Sequence, residues 1–434
     1  MRRAMSDREG PPPIPSRRAR AAAKMRGLAV DLTPLRASRD YRYLWFGELV
    51  SHTGRHITVV ALPFQVFELT GSPLLVGMIG LVQVVPLVAF SLAAGVVADR
   101  MDRRRLLALS QAGLAVSSGL LAALTIGSRP PLWALYAVAA LIGALSGLES
   151  PTRTAVVPRL VGDELIPSAV ALEQTLFQLS DIVGPAVGGL IIATLGLSSA
   201  YVVDALTFVV ALLAVLAIRP LPPDPQERGT KRLAAFTEGF RYLKGRPVLQ
   251  STFYVDLIAM VFGMPRALFP VLAVTTFGIG PEGLGLLFAA PGVGALVGAL
   301  GSGWVRHVRH QGRAVLWSVT LWGAAIAAFG LTRELWLALV FLAVAGAADV
   351  ISAVFRSTIL QRSIPDRLRG RLSAIHIAVV VGGPRLGDAE AGVVATLFTP
   401  AISVVSGGLA VIGGVALLAA LVPRFARYHA GEPA

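Results

Sequence analysis

The feature that most constrains this chain is the repetition, from Tyr43 onward, of apolar stretches about 20 residues long. As an α-helix, such a stretch crosses the roughly 30 Å hydrocarbon core of a bilayer. Soluble domains carry about 25% charged residues, whereas here 15% are charged and 55% are hydrophobic. The pattern predicts a polytopic helical membrane protein. It disfavours soluble multidomain enzymes, disordered chains and disulfide scaffolds, and the chain contains no cysteine.

Twelve membrane spans are predicted, several of them long enough to be tilted or to extend beyond the bilayer. They cover residues 43–68, 73–98, 106–127, 132–157, 166–195, 199–218, 248–277, 283–305, 314–331, 335–360, 371–399 and 401–422. The resulting domains are an N-terminal tail (1–41), a first six-helix bundle (42–218), a central loop (219–247), a second bundle (248–422) and a C-terminal tail (423–434).

The N-terminal tail is rich in Arg and Pro and lacks the apolar core of a signal peptide. Its first 30 or so residues are expected to be a disordered cytoplasmic tail. Either Met1 or Met25 is compatible with the start of the chain.

The distribution of positive charge predicts the orientation in the membrane. The formal net charge is +14, and most of the 39 Lys and Arg lie in the two tails and the even-numbered loops. The loops of the opposite face contain Arg129 and Arg333. The positive-inside rule therefore predicts a multi-pass protein of the cytoplasmic (inner) membrane with both termini and the central loop in the cytoplasm. The basic loops face anionic lipid, and no nucleic-acid partner is expected.

The two halves of the chain resemble each other. Arg153 and Arg159, after the fourth span, correspond to Arg356 and Arg362, after the tenth, each pair 203 positions apart. An aspartate, a leucine and two glycines recur at the same spacing. This repeat predicts two pseudo-symmetric six-helix bundles around a central cavity.

The loop after the second span has the order Gly-x-x-Ala-Asp-Arg-x-x-Arg-Arg, beginning at Gly95. It resembles the signature loop of the major facilitator superfamily, which joins the second and third helices. In that family the loop's Asp and Arg bridge neighbouring helix ends and latch the outward-facing state. The resemblance implies that Asp99 is the latch carboxylate, with Arg100 and Arg103 as its partners. A cytoplasmic turn made basic by the positive-inside rule is the simpler alternative.

The fifth span contains a motif of small residues, Gly184, Pro185, Gly188 and Gly189, preceded by Ser180. It is similar to the G-x-x-x-G-P-x-x-G-G motif of proton-coupled exporters in the same superfamily, with serine in the first position. Small residues let helices approach closely, and proline removes a backbone hydrogen bond. Ordinary glycine-rich helix packing is the alternative.

Charged residues inside membrane spans are costly and often functional. Asp181 and Asp388 lie near the middle of their spans and are the first candidates for proton coupling, and Glu48 with His52 is a second candidate relay. A role in a solvated cavity wall is the alternative for each. Helical spacing also predicts pairs between Glu149 and Arg153 and between Arg385 and Asp388. The remaining candidates for the cavity are Asp256, Asp349, Arg356 and Arg385.

Arg266 lies between Pro265 and Pro270, which are expected to break the seventh span. Discontinuous helices of this kind line transporter cavities. An arginine there is expected to bind an anionic or phenolate-bearing substrate, or else to be satisfied by the backbone carbonyls that the break frees.

At finer scale the chain is similar to the enterobactin-exporter branch of the drug:proton antiporters, over nearly all of residues 34–425. The similarity rests on the segments that begin at Pro34, Ala98, Phe240, Pro265, Pro365, Gly387 and Thr399. Arg266 and Asp388 match the pattern of that branch, whereas Glu48, Asp181 and Asp256 depart from it. The branch also includes exporters of macrolides and other drugs.

These features together predict a proton-coupled secondary exporter that works by alternating access as a monomer. The resemblance implies a catecholate-like siderophore or a similar amphiphilic small molecule as substrate. A broad-specificity drug efflux antiporter is the main alternative, and an importer or facilitator follows. A membrane sensor is the least favoured, since no soluble domain is predicted beyond the tails. No enzyme motif, cofactor fingerprint, nucleotide-binding loop or metal-ligand spacing is found in the sequence, so no cofactor, metal or catalytic residue is expected.

Overall fold

The computed structural model describes residues 31–98, 101–126, 129–222, 241–364 and 366–429. These residues form twelve long helices in chain order. The first six are α1 (Arg39–Thr70), α2 (Pro73–Ala98), α3 (Arg103–Ile126), α4 (Leu132–Val161), α5 (Ile166–Leu195) and α6 (Leu197–Leu216). The second six are α7 (beginning with Pro247–Phe262), α8 (Pro281–Leu300), α9 (Gln311–Leu331), α10 (Leu335–Ser363), α11 (Asp366–Leu397) and α12 (Pro400–Leu421).

Ten of the twelve helices are long and apolar enough to cross a membrane. The other two, α1 and α11, are 32 residues long and interrupt their apolar sequence with charged side chains. The predicted proton-coupling residues Glu48 and Asp388 lie on these two helices. Inward-facing charge is tolerated in a membrane helix when it is paired or lines a cavity.

Local sequence signals set several helix ends. The Ser38 side chain accepts a hydrogen bond from the Tyr41 N–H and caps the start of α1. Gly71, with φ of 61°, ends the same helix in the left-handed region that glycine reaches without strain. The predicted span 283–305 is shorter in the structure because α8 stops at Leu300 and a 3₁₀ segment, Ser302–His307, begins within the glycine-rich Gly301-Ser-Gly sequence.

The helices pack as two six-helix groups. In the first group α2 packs on α4, α3 on α6, and α1 on both α5 and α6. In the second group α8 packs on α10, α9 on α10 and α12, and α7 on α11. Contacts between the groups are mainly those of α2 with α11 and of α5 with α8. The twelve-helix, two-bundle fold predicted from the sequence is confirmed.

The close approaches between the bundles lie in the half of the molecule remote from the chain ends. There the Leu74 N–H at the start of α2 donates to Thr396 Oγ1 near the end of α11, over 3.1 Å. A Cβ placed on Gly285 of α8 would lie 2.5 Å from the Pro185 carbonyl oxygen of α5. The second half of α2 instead exposes Val85, at 69% relative accessibility.

The predicted break in α7 is confirmed. The regular helix ends at Phe262, and a 3₁₀ turn (Arg266–Leu268), a short α-helical turn (Phe269–Leu272) and a π-helical segment (Ala273–Phe277) follow it. Breaking a membrane helix frees backbone groups that must be satisfied within the protein. Trp322 Nε1–H of α9 donates to the Gly263 carbonyl over 3.0 Å. The Ala267 N–H donates to Asp388 Oδ1 of α11 over 2.9 Å.

Candidate functional site

A cavity of about 160 Å³ lies beside the break in α7, between the two bundles. The first bundle contributes α5, through Gln178 and Asp181, and the second contributes α7, α8, α9 and α10. Its polar lining also includes Arg266 and Asp349. The apolar lining consists mainly of aromatic, aliphatic and small residues, among them Met264, Phe269, Phe288, Pro291, Trp322 and Gly346. An apolar cavity with a few convergent polar groups is the usual form of a small-molecule site.

Arg266 is the cation of this cavity. It is half-buried, and its guanidinium forms neither a hydrogen bond nor an ion pair with any residue that the structure describes. The alternative interpretation has the arginine satisfied by backbone carbonyls that the break frees, but one such carbonyl, that of Gly263, accepts from Trp322. Arg266 therefore presents donors that a ligand in the cavity can use.

Asp181 lines the same cavity and is paired with a residue that the sequence did not single out. His56 Nε2 of α1 lies 2.9 Å from Asp181 Oδ1 of α5. The side chain of His56 is 18% accessible and that of Asp181 is 44% accessible. No sequence signal connects two residues 125 positions apart on different helices, so this pair could not be predicted.

Asp388, the second proton-coupling candidate, lies behind the α7 break. Its carboxylate accepts the hydrogen bond from Ala267 and so caps the 3₁₀ turn that begins with Arg266. A Cβ on Gly80 of α2 would lie 3.3 Å from the Asp388 Cβ and 2.7 Å from the Arg385 carbonyl oxygen. Asp388 thus contacts both the broken helix and the interface between the bundles.

Three of the predicted cavity residues form a charged cluster in the second bundle. Arg356 Nη1 of α10 lies 2.6 Å from Asp256 Oδ1 of α7, and Arg356 Nη2 lies 3.6 Å from Asp349 Oδ1. His376 of α11 lies 3.5 Å from the other Asp256 oxygen and was not predicted. Only Asp349 of this cluster also lines the cavity. The Arg356 and Asp256 side chains are 3% and 1% accessible.

Glu48 and His52 both contact Arg153 inside the first bundle. Arg153 Nη1 lies 3.5 Å from Glu48 Oε2 and 2.8 Å from His52 Nε2. Glu149 pairs with Arg55 of α1 rather than with Arg153, so the predicted pair along α4 is wrong. The reason is that both α4 side chains point toward α1, where partners of opposite charge are available.

The glycine motif of α5 is a packing surface on two sides. A Cβ on Gly184 would lie 2.5 Å from the His56 Cβ and 2.7 Å from the Thr53 carbonyl oxygen, both on α1. Gly188 faces Ile57 in the same way, at 3.0 Å from its Cα. Gly189 faces α8, where Gly285 lies opposite. Pro185 lies within α5 without ending it. The motif therefore brings α1 and α8 against the same helix.

Two of the three predicted latch residues, Asp99 and Arg100, lie outside the described residues. Arg103 is described and is 5% accessible. Its Nη1 donates to the Ala155 carbonyl of α4 over 3.0 Å, and its backbone N–H donates to the Leu221 carbonyl over 3.0 Å. In this structure Arg103 thus holds α4 and the segment after α6.

The helical architecture and its cavity define a membrane transporter of the major facilitator fold. A family model described as transmembrane secretion effector matches residues 29–430. The chain belongs to this family of the major facilitator superfamily. The expectation of a transporter rather than an enzyme agrees with the family.

Relatives and solved structures agree with this placement. The chain is 29% identical to the enterobactin exporter EntS of Shigella boydii over 394 residues, covering 91% of this chain and 94% of the relative. It is 29% identical to the enterobactin exporter EntS of Citrobacter koseri over 406 residues, covering 93% and 97%. The crystal structure of the nucleoside transporter NupG matches with a TM-score of 0.71 at 12% identity, covering 89% of this chain and 98% of that one. A bacterial homologue of the iron transporter ferroportin, in its inward-facing state, matches with a TM-score of 0.66 at 14% identity, covering 89% and 98%. These structures support the fold alone.

Proposed function

We propose that this protein is a proton-coupled secondary exporter that moves a siderophore or a similar amphiphilic small molecule out across the cytoplasmic membrane by alternating access. The observation that carries the proposal is the cavity around Arg266, because both bundles line it and its arginine has no bonded partner among the described residues. A ligand held there contacts both halves of a molecule whose halves are expected to rock against each other.

The proposed orientation places both chain ends in the cytoplasm, as the distribution of Lys and Arg predicts. With that orientation, the bundle contacts between α2 and α11 and between α5 and α8 lie on the outer side. The conformation is then inward-facing, ready to receive a substrate from the cytoplasm. The latch of Asp99, Arg100 and Arg103 is proposed to close this side in the opposite state, and the monomer is proposed to be the working unit.

The chemistry of the cavity supports an amphiphilic aromatic substrate. Phe269, Phe288 and Trp322 offer apolar and aromatic surface, and Arg266 offers donors to phenol or carbonyl oxygens. The relatives named enterobactin exporters point to a siderophore. We therefore propose a catecholate-like siderophore as the substrate class.

The proposed coupling residues are the carboxylates that connect cavity and interface. Asp181 lines the cavity directly, and Asp388 caps the turn that carries Arg266. Glu48 and His52 are 4% and 8% accessible and contact Arg153 instead. We assign them to a supporting role in the first bundle, and Arg385, beside Asp388 on α11, to the interface with α2.

Transport into inside-out vesicles tests the proposal. Vesicles with an acidic lumen are given metal-free enterobactin, and a collapsed pH gradient serves as the control. We expect gradient-dependent accumulation, strongly reduced in Arg266→Ala. Arg219→Ala is the matched control because Arg219 is 63% accessible and pairs with Asp40 outside the cavity. Accumulation that is equal with and without the gradient would contradict proton coupling.

A broad-specificity drug efflux antiporter is the second candidate. The observation that favours it is the presence of two carboxylates, Asp181 and Asp349, in an aromatic-lined cavity, which suits lipophilic cations. A cationic dye measured in parallel separates the candidates. Accumulation of enterobactin alone supports the siderophore exporter, whereas accumulation of the dye alone or of both supports the multidrug type.

A further inference from the structure

The His56–Asp181 pair occupies a junction of three helices. His56 lies on α1, Asp181 lies on α5, and Gly292 of α8 packs against the backbone of Asp181. One turn earlier on α5, Gln178 Nε2 donates to the Gly292 carbonyl over 2.8 Å. The pair therefore lies where the first bundle contacts the second and where α5 opens onto the cavity.

Several of the charged groups around the pair are already bound to other partners within the protein. On α1, Arg55 is bound to Glu149 and His52 is bound to Arg153. On α8, which the structure describes in full, the acidic residue is Glu282, in the first turn of the helix and away from Gly292. Across the cavity, α10 presents Asp349, which faces Arg356, and α7 presents Arg266.

The two oxygens of Asp181 differ in their surroundings. Oδ1 lies within hydrogen-bond distance of His56, whereas Oδ2 has no hydrogen-bond partner among the residues that the structure describes. Because the Asp181 side chain is 44% accessible and lines the cavity, its second oxygen is available to a ligand. The free acceptor of Asp181 and the free donors of Arg266 thus line one cavity.

We propose that Asp181, held by His56, is the proton-exchange site of this transporter, and that a hydroxyl group of an uncharged phenol or catechol substrate competes with the proton for the Asp181 carboxylate. The inference rests on the proposed export function and deepens it. His56 acts as a positioning residue, because its ring nitrogen holds one carboxylate oxygen and leaves the other available to the ligand.

The competition gives an exchange of one proton for one substrate. When Asp181 is ionised it accepts a hydrogen bond from the substrate hydroxyl, while Arg266 donates to a substrate oxygen. When Asp181 takes a proton from the outer solution, that acceptor is lost and the substrate leaves. The same proton is released to the inner solution when the next substrate binds. No covalent bond of the substrate changes.

The sign of the pH dependence separates this scheme from the binding of an anion. An anionic substrate beside Arg266 is repelled by ionised Asp181, so it would bind more tightly when Asp181 is protonated and would take up a proton on binding. A neutral hydroxyl donor does the opposite. It binds more tightly at higher pH and releases a proton.

Proton release on binding is the direct test. Purified full-length protein in detergent micelles is mixed with metal-free enterobactin in weak buffer, and a pH indicator and the dissociation constant are followed between pH 6 and 8. We expect wild-type protein to release up to about one proton and to bind more weakly at low pH, by up to about tenfold per pH unit. Asp181→Asn is expected to bind with lower affinity, without release and without pH dependence.

Matched variants keep the test decisive. Asp204→Asn is the control, because Asp204 is a buried intramembrane aspartate that accepts from Thr58 and Ser118 away from the cavity lining. It is expected to release protons as wild type does. His56→Gln retains a hydrogen-bond donor and is expected to retain release with a displaced midpoint of its pH profile. Asp181→Glu retains a carboxylate and is expected to retain proton release. It provides the test of the carboxylate if the asparagine variant does not fold.

Three results would overturn the inference. They are undiminished proton release in Asp181→Asn, proton uptake by the wild type, and a pH profile that His56→Gln leaves unchanged. Failure of the proposed function gives a different result, because the wild type would then show no gradient-driven accumulation of either enterobactin or a cationic dye in vesicles. In that case the export proposal falls and this inference falls with it.

Discussion

The buried pair of Arg356 and Asp256 permits a quantitative prediction. The side chains are 3% and 1% accessible, and their nearest charged atoms lie 2.6 Å apart. Replacing Arg356 with leucine leaves Asp256 without its guanidinium partner. The same guanidinium lies 3.6 Å from Asp349, so that contact is lost as well. Removing one partner of a buried ion pair costs about 3–5 kcal/mol, since the remaining charge stays out of water. We expect Arg356→Leu to lower the free energy of unfolding by about this amount.

The assay is equilibrium unfolding of purified protein in mixed SDS micelles. Arg219→Leu provides the matched control, because Arg219 pairs with Asp40 at 3.4 Å but is 63% accessible. An exposed pair contributes about 1 kcal/mol or less. The double variant Arg356→Leu/Asp256→Leu is expected to recover most of the loss, since an apolar pair of similar volume is often as stable as a buried ion pair. A loss in Arg356→Leu no larger than in Arg219→Leu would refute the reasoning.

Three further predictions test the packing, the α7 break and the peripheral contacts. Gly184→Ala is expected to abolish most transport, because its new methyl group would lie 2.5 Å from a side-chain carbon of α1. Gly119→Ala in α3 is the control, because its methyl group meets nothing within 4 Å. This control is expected to raise the free energy of unfolding by about 0.5–1 kcal/mol in thermal unfolding. Asp388→Asn keeps an acceptor for the α7 backbone and is expected to retain substrate binding, while Asp388→Ala loses it in the same titration. Outside the membrane, hydrogen bonds from the Thr33 side chain and then Ser168 lower the pKa of Asp31. Their stabilising effect is present near neutral pH and is lost as the pH falls through that lowered pKa, and Ser168→Ala is expected to raise the pKa in a carboxyl ¹³C titration.

Much of the fold follows from the sequence because the bilayer imposes simple requirements on the chain. Apolar length predicts the spans, and Pro265 with Pro270 predicts the break in α7. The end of α8 was harder to place, since Val305 continues the apolar pattern while Gly301 and Gly303 weaken the helix.

Part of the site was predictable for the same reason. Asp181, Arg266 and Asp349 are intramembrane charges, and intramembrane charges are rare enough to be noticed. Their partners were not predictable, because pairing depends on which helices become neighbours. His56 is an ordinary residue in the sequence of α1 until α5 brings Asp181 to it. For Glu149, the i, i+4 spacing predicts the wrong ion-pair partner, since Glu149 pairs with Arg55 of another helix rather than with Arg153 one turn away.

The internal repeat distinguishes residues that hold each bundle together from residues that we assign to substrate and proton. Arg153 and Arg356 occupy equivalent positions, and each pairs with a carboxylate on the first helix of its own half, Glu48 and Asp256 respectively. The two arginines hold corresponding helices of the two bundles together, although their carboxylate partners are not equivalent, since Glu48 corresponds to Ser251 and Asp256 to Thr53.

The cavity residues, in contrast to these arginines, have no charged counterpart in the other half. At the same spacing of 203 positions, Asp181 corresponds to Pro384, His56 to Ala259 and Arg266 to Pro63. Each group that we assign to substrate or proton therefore occurs in one half only. A carrier that rocks two similar bundles needs similar packing in both, but it needs distinct partners for the proton and the substrate on the two sides of one cavity. The placement of Asp181 in the first half and of Arg266 in the second meets that requirement, because a ligand that spans them is sensitive to the relative position of the bundles.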